Sequence, residues 1–167
     1  MGGVNPRRIG LIAAVALVVF GLDRITKAIV ASSLPLGGSI DVAGSLVRIT
    51  HVRNSGAAFG LLPERTTLLS ILSVVAVVAI LYYYRQLAAR SPLIAATLGM
   101  QLGGAFGNLV DRLGQGYVVD FVDVGFDPSP RFWAFNVADS SIVVGILLVI
   151  ATLWWEERSR AHPTTAS

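Results

Sequence analysis

The chain has 167 residues, of which 54% are hydrophobic and only 14% charged, and its mean hydropathy is +0.69. A soluble domain carries nearer a quarter charged residues, so the composition points to one integral membrane domain, 1–167. The scattered net charge of +3 gives no footprint for nucleic acid, and the absence of cysteine excludes disulfides, thiolate metal sites and a cysteine nucleophile.

In chain order, a short polar start with Arg7 and Arg8 leads into an apolar run and the first predicted span, about 9–30. A basic start and an apolar core also describe a signal peptide. Asp23, Arg24 and Lys27 interrupt the region where cleavage would fall, however, so the segment reads as a retained transmembrane helix. The loop 32–65 is rich in Gly, Pro and Ser. Its alternating stretch 46–53 reads as one or two short strands, which must lie outside the hydrocarbon because an open sheet edge cannot sit in lipid.

The second span, 66–84, is free of charge and ends in Tyr82, Tyr83 and Tyr84, an interfacial belt. The third, 92–110, repeats Gly99, Gly103 and Gly107 every four residues, which flattens one helix face for close packing. Glycines at 114 and 116 should break this helix, and the loop 111–136 contains a second alternating run, 117–123. The fourth span, 137–155, ends at Trp154 and Trp155, and 161–167 reads as a disordered tail. The expected fold is therefore membrane α-helical: four transmembrane helices with a small extracytoplasmic β-sheet and loop.

Four spans put both termini on one side. Arg7, Arg8, Arg85, Arg90, Arg158 and Arg160 fall there, close to span ends; Arg48, Arg53, Arg65, Arg112 and Arg131 lie in the opposite loops. Six against five is a small bias, but the first group sits in the short segments where basic residues set topology. The termini are thus expected in the cytoplasm and the two long loops outside. With that topology, Asp23, Asn54, Asn108, Arg112, Asp120, Asn136 and Asp139 all arrive at one membrane face.

Two carboxylates sharing a partly apolar site do not both ionise easily; one keeps a proton while the other stays charged. Such a pair can activate water and protonate a departing amine. Asp120, behind two valines on a strand, and Asp139, in the first turn of a helix, are the candidates. Each also has a plainer reading, Asp120 as a loop acid and Asp139 as a carboxylate at a helix N-terminus. Asp23 and Lys27 are spaced for an intrahelical pair. Arg112 admits two readings: a local ion pair with Asp111, or a grip on a substrate carbonyl or catalytic carboxylate. Asp41, Asp123 and Asp127 read as solvated. Ser140 and Ser141 have no histidine nearby in the chain, which leaves Lys27 as the base of a minor Ser/Lys alternative. The two histidines, His51 and His162, fit no metal-ligand spacing.

Four blocks, in order, resemble the lipoprotein signal peptidases (signal peptidase II): DRITK at 23–27, RNSGAAFG at 53–60, GGAFGNLVDR at 103–112 with VVDF at 118–121, and FNVADS at 135–140. The resemblance implies a bacterial inner-membrane aspartic endopeptidase without metal or cofactor, cutting diacylglyceryl-modified prolipoproteins just before the lipidated cysteine. It implies a catalytic dyad of Asp120 and Asp139, and a structural role for Asp111. Supporting or substrate-binding roles follow for Asp23, Lys27, Asn54, Gly104, Asn108, Arg112, Asn136 and Ala138. A sheet on the membrane surface, a short lid helix after Asn54, contact with membrane lipid, and action as a monomer are further implications. Gly104 and Gly107 would line a groove for acyl chains. The rival from another class is a small proton-coupled transporter using intramembrane Asp and Lys, which would spread charge over several spans near mid-bilayer.

Overall fold

The computed structural model describes residues 5–44, 46–56, 66–88, 90–125 and 134–161. Four long helices account for most of them: α1 (Pro6–Ser33), α2 (Thr66–Ala88), α3 (Pro92–Gln115) and α4 (Val137–Ala161). All four are long and apolar enough to cross a membrane. Two begin on capped prolines. Asn5 and Ser91 accept from the backbone N–H of Arg7 and Ile94, and Pro6 and Pro92 occupy first-turn positions where no donor is missed.

The organising helix is α3. In its most apolar window 61% of residues are buried inside the protein, against 17% or less for each of the others, so α1, α2 and α4 pack around it and turn their outer faces to lipid. Small residues make the close approach possible. A Cβ on Gly99 would meet the Ile12 carbonyl oxygen at 2.7 Å, and one on Gly103 would meet that of Ala16 at 2.5 Å, both on α1. On the neighbouring face, a Cβ on Gly104 would meet Ser141 Oγ at 2.4 Å and the Ala138 carbonyl at 2.5 Å on α4. Gly107 backs onto the Asp23 carboxylate. These spaces are filled by the neighbouring helices, so Gly104 and Gly107 are close-packing positions.

The strands form a three-stranded antiparallel sheet in the order β1 (Ser39–Ala43), β2 (Val47–Asn54), β3 (Val118–Val124). The expected strand at 46–53 is β2. Its partner β1 lies outside that stretch, a five-residue edge strand exposed along its whole length. The register sets Val52 against Asp120 and Asn54 against Val118. Phe135 extends β3 by bonding back to Phe121 and Val122, which delivers Asn136 and the start of α4 beside Asp120.

Two boundaries differ from the sequence reading. Gly114 does not break the helix; α3 runs to Gln115 and stops at Gly116, whose φ of +80° suits glycine and whose N–H bonds the Arg112 carbonyl. Ala161 still belongs to α4. The expected lid after Asn54 and most of the expected tail fall at 57–65 and 162–167, outside the described residues, as does Asp127.

Candidate active site

The site is assembled where α1 and α3 end, α4 begins, and the sheet covers the junction. Buried charge forms its base. Lys27 is only 3% exposed; its ammonium lies 2.8 Å from Asp23 Oδ2 and 2.7 Å from Asp111 Oδ2, and donates to Asn108 Oδ1 at 2.8 Å. Arg24 reaches in from the rim to pair with Asp111 Oδ1. Two cations thus balance two carboxylates, the condition under which buried charge is tolerated at membrane depth. Asp23 also accepts from the Ala138 N–H at 3.0 Å, so α1 pins the first turn of α4.

This network corrects the ion-pair reading of Asp111 with Arg112. Successive residues on a helix point apart. Asp111 turns into the α1 interface, whereas Arg112 lies in the field of Asp139, then Asp120, then Asp111, and its buried Nε has no hydrogen-bond partner. Asp41 is exposed, as expected, and accepts from Arg48 Nε at 2.7 Å; Asp123 is only half-exposed and accepts from Thr50 Oγ1 at 3.3 Å.

Above the charged base sit Asp120 and Asp139, each held by asparagine. Asn54 Nδ2 donates to Asp120 Oδ2 at 2.7 Å, Asn136 Nδ2 to Asp120 Oδ1 at 2.6 Å, and Asn108 Nδ2 to Asp139 Oδ1 at 2.8 Å. The other end of each amide faces a group that can only donate: the Gly56 N–H for Asn54, the Asp139 N–H for Asn136, and the Lys27 ammonium for Asn108. Oxygen must meet those donors, so every NH₂ is forced toward a carboxylate. Asn136 and Asp139 also bond each other's backbone N–H groups, a capping box that starts α4. The plain reading of Asp139 as a helix-start carboxylate therefore holds, and the cap is what fixes its direction.

Asp120 is 2% exposed on β3. Burial, and after it the neighbouring Asp139, push its carboxyl up to about 7 against the pull of Asn54 and Asn136. It therefore titrates around neutral pH, with a second carboxylate beside it. The serine alternative is not assembled: Ser140 Oγ donates to the Asn136 carbonyl, Ser141 Oγ to those of Ala138 and Met100, and Lys27 is surrounded by three other oxygens. Among the described residues no three His, Cys, Asp or Glu side chains gather as metal ligands would.

The ten residues singled out in the sequence converge here, with Gly104 and Ala138 closing the packing behind the polar groups. Arg24 was missed. Its signal was present, one residue from Asp23, but an arginine at a span end also fits a purely topological role.

Fold and site together define a multi-pass membrane protein with an amide-held carboxylate pair at one end of its helices. A family model for Signal peptidase (SPase) II matches residues 15–155. A lipoprotein signal peptidase of Halothermothrix orenii is 38% identical over 149 residues, covering 89% of this chain and 98% of that protein. One from Mycobacterium tuberculosis is 44% identical over 156 residues, covering 89% and 74%. A solved bacterial membrane enzyme superposes with a TM-score of 0.82 at 31% identity, covering 95% of this chain and 94% of its own. The chain belongs to the signal peptidase II family and is a membrane peptidase. Family membership favours this reading over the transporter, as does the charge-free span Thr66–Tyr84.

Proposed function

We propose that this protein is an aspartic endopeptidase that removes the signal peptide from diacylglyceryl-modified prolipoproteins, cutting before the lipidated cysteine. The observation that carries this reading is the pair formed by buried Asp120 and half-buried Asp139, both held by preset amide donors. An ionised carboxylate takes a proton from water as its oxygen attacks the scissile carbonyl, and the protonated partner gives its proton to the carbonyl oxygen. Collapse of the resulting gem-diol breaks the C–N bond. One carboxyl then protonates the leaving amine while the other recovers a proton from the gem-diol, so the dyad is regenerated. The Arg112 guanidinium, in the field of both carboxylates, is suited to hold a substrate carbonyl.

The lipidated cysteine places the scissile bond at the membrane surface, where the helix ends and the sheet meet. Basic residues near the other helix ends favour cytoplasmic termini and an extracytoplasmic site in the bacterial inner membrane. The exposed apolar residues Leu36, Ile40 and Val42 suit contact of the sheet with lipid. Purified protein in detergent, without added metal, should release the signal peptide from a diacylglyceryl-modified prolipoprotein and leave the unlipidated precursor uncut. Equal cleavage of both forms would overturn the substrate assignment.

A further inference from the structure

We infer that Lys27 and Asn108 form an orientation lock that commits Asp139 to the ionised, water-activating role and leaves Asp120 as the proton donor. The inference rests on the dyad reading above. An asparagine amide presents oxygen at one end and two N–H groups at the other, and a rotation of 180° about its last bond exchanges them. A rotated Asn108 would turn an acceptor toward Asp139, and such an acceptor is satisfied only by a protonated acid. Lys27 forbids that rotation. Its ammonium has no acceptor capacity, lies 2.8 Å from Asn108 Oδ1, and is itself held between Asp23 and Asp111. Asn136 Nδ2 approaches the same oxygen at 3.3 Å, a second donor against rotation.

The groups facing Asp139 act in the same sense. From α3, Asn108 Nδ2 donates to Oδ1 at 2.8 Å and Arg112 contributes positive charge; Asp111, on the same helix, is neutralised by Arg24 and Lys27. From α1, Lys27 acts through Asn108, with Asp23 paired to it. The α4 N-terminus supplies the Asn136 N–H to Oδ2 at 3.3 Å and the positive end of the helix dipole. Against the charge stand the partial desolvation of the Asp139 carboxyl and, from β3, Asp120, which yields by keeping its proton. Asp120 has amide donors too, but it sits on a strand with no helix terminus behind it. Lys27 and Asn108 are thus positioning residues, acting on water through Asp139.

Asn108→Asp separates this role from a packing role, because it keeps an oxygen for Lys27 at nearly unchanged volume while a carboxylate oxygen replaces the N–H aimed at Asp139. Asn108→Ser removes the amide without adding charge. In purified protein, both variants should show the acid limb of the kcat/KM pH profile moved up by about one unit or more, the scale of one hydrogen bond to a charged group. KM should change less than twofold, and part of the lost turnover should return at higher pH. Reduced turnover with an unmoved acid limb in both variants would overturn the lock and make Asn108 merely structural. Asp139→Asn run alongside separates the two readings: if it stays inactive at every pH while the limb is unmoved, the lock alone fails, whereas turnover by Asp139→Asn would remove the dyad itself.

Discussion

Asp120 shows how much of the chemistry depends on where one side chain is placed. Its ordinary value would be 3.8, and burial beside Asp139 raises it to about 7. For an acid whose folded value is raised, the stability linked to its proton is fully present below about pH 4 and is lost as pH rises through about 7. Activity should follow the same limb. Cleavage of a lipidated substrate, measured against pH, is expected to fall above about pH 7 as the dyad loses its shared proton. Coupled carboxylates titrate as a pair, so the midpoint belongs to the dyad. A rate that keeps rising to pH 9 would contradict a protonated Asp120. Lys27 gives a second expectation at this scale. Lys27→Met strands Asp23 and Asp111 with only Arg24 to balance them, and should cost about 3–5 kcal/mol of stability, seen as a large drop in thermal midpoint in detergent.

Among the elements, α3 carries both the packing and the polar groups, and its glycines are not equivalent. Gly104→Ala forces a methyl against Ser141 and the backbone of Ala138, and should destabilise by about 1–3 kcal/mol. Gly114 lies within the same helix with open space around its Cβ position, so Gly114→Ala should be neutral or stabilising by up to about 1 kcal/mol. Thermal melts of the two variants, side by side, check the contrast. The α3 glycine repeat was legible in the sequence as a packing face, but the identity of the helix on each side was not. The end of α3 was misread for a related reason. Asp111 and Arg112 look like the start of a polar loop until α1 supplies Lys27 and Arg24, and no local pattern announces partners more than eighty residues away. β1 escaped notice because its five residues are all exposed and leave no alternating burial pattern to read.

Taken whole, the molecule gathers six charged helix residues, Asp23, Arg24, Lys27, Asp111, Arg112 and Asp139, at one end of its helix bundle. Span number, the alternation that became β2 and β3, and the convergence of polar residues all followed from hydropathy and topology, because those depend on composition along the chain. The amide orientations did not, since they depend on which donor faces each oxygen across different elements. The orientation of the bundle in the membrane is open to direct test because the chain has no cysteine. A single cysteine at exposed Asp41 should react with a membrane-impermeant maleimide on intact spheroplasts, and one at Arg158 only after permeabilisation. The reverse pattern would place the site on the cytoplasmic side.

The most direct test of the dyad compares Asp120→Asn and Asp139→Asn with the unaltered protein, purified in detergent, on a diacylglyceryl-modified prolipoprotein. Both variants should retain the helical circular dichroism and the thermal transition of a folded protein while releasing no signal peptide. Near-normal turnover by either folded variant would contradict the account.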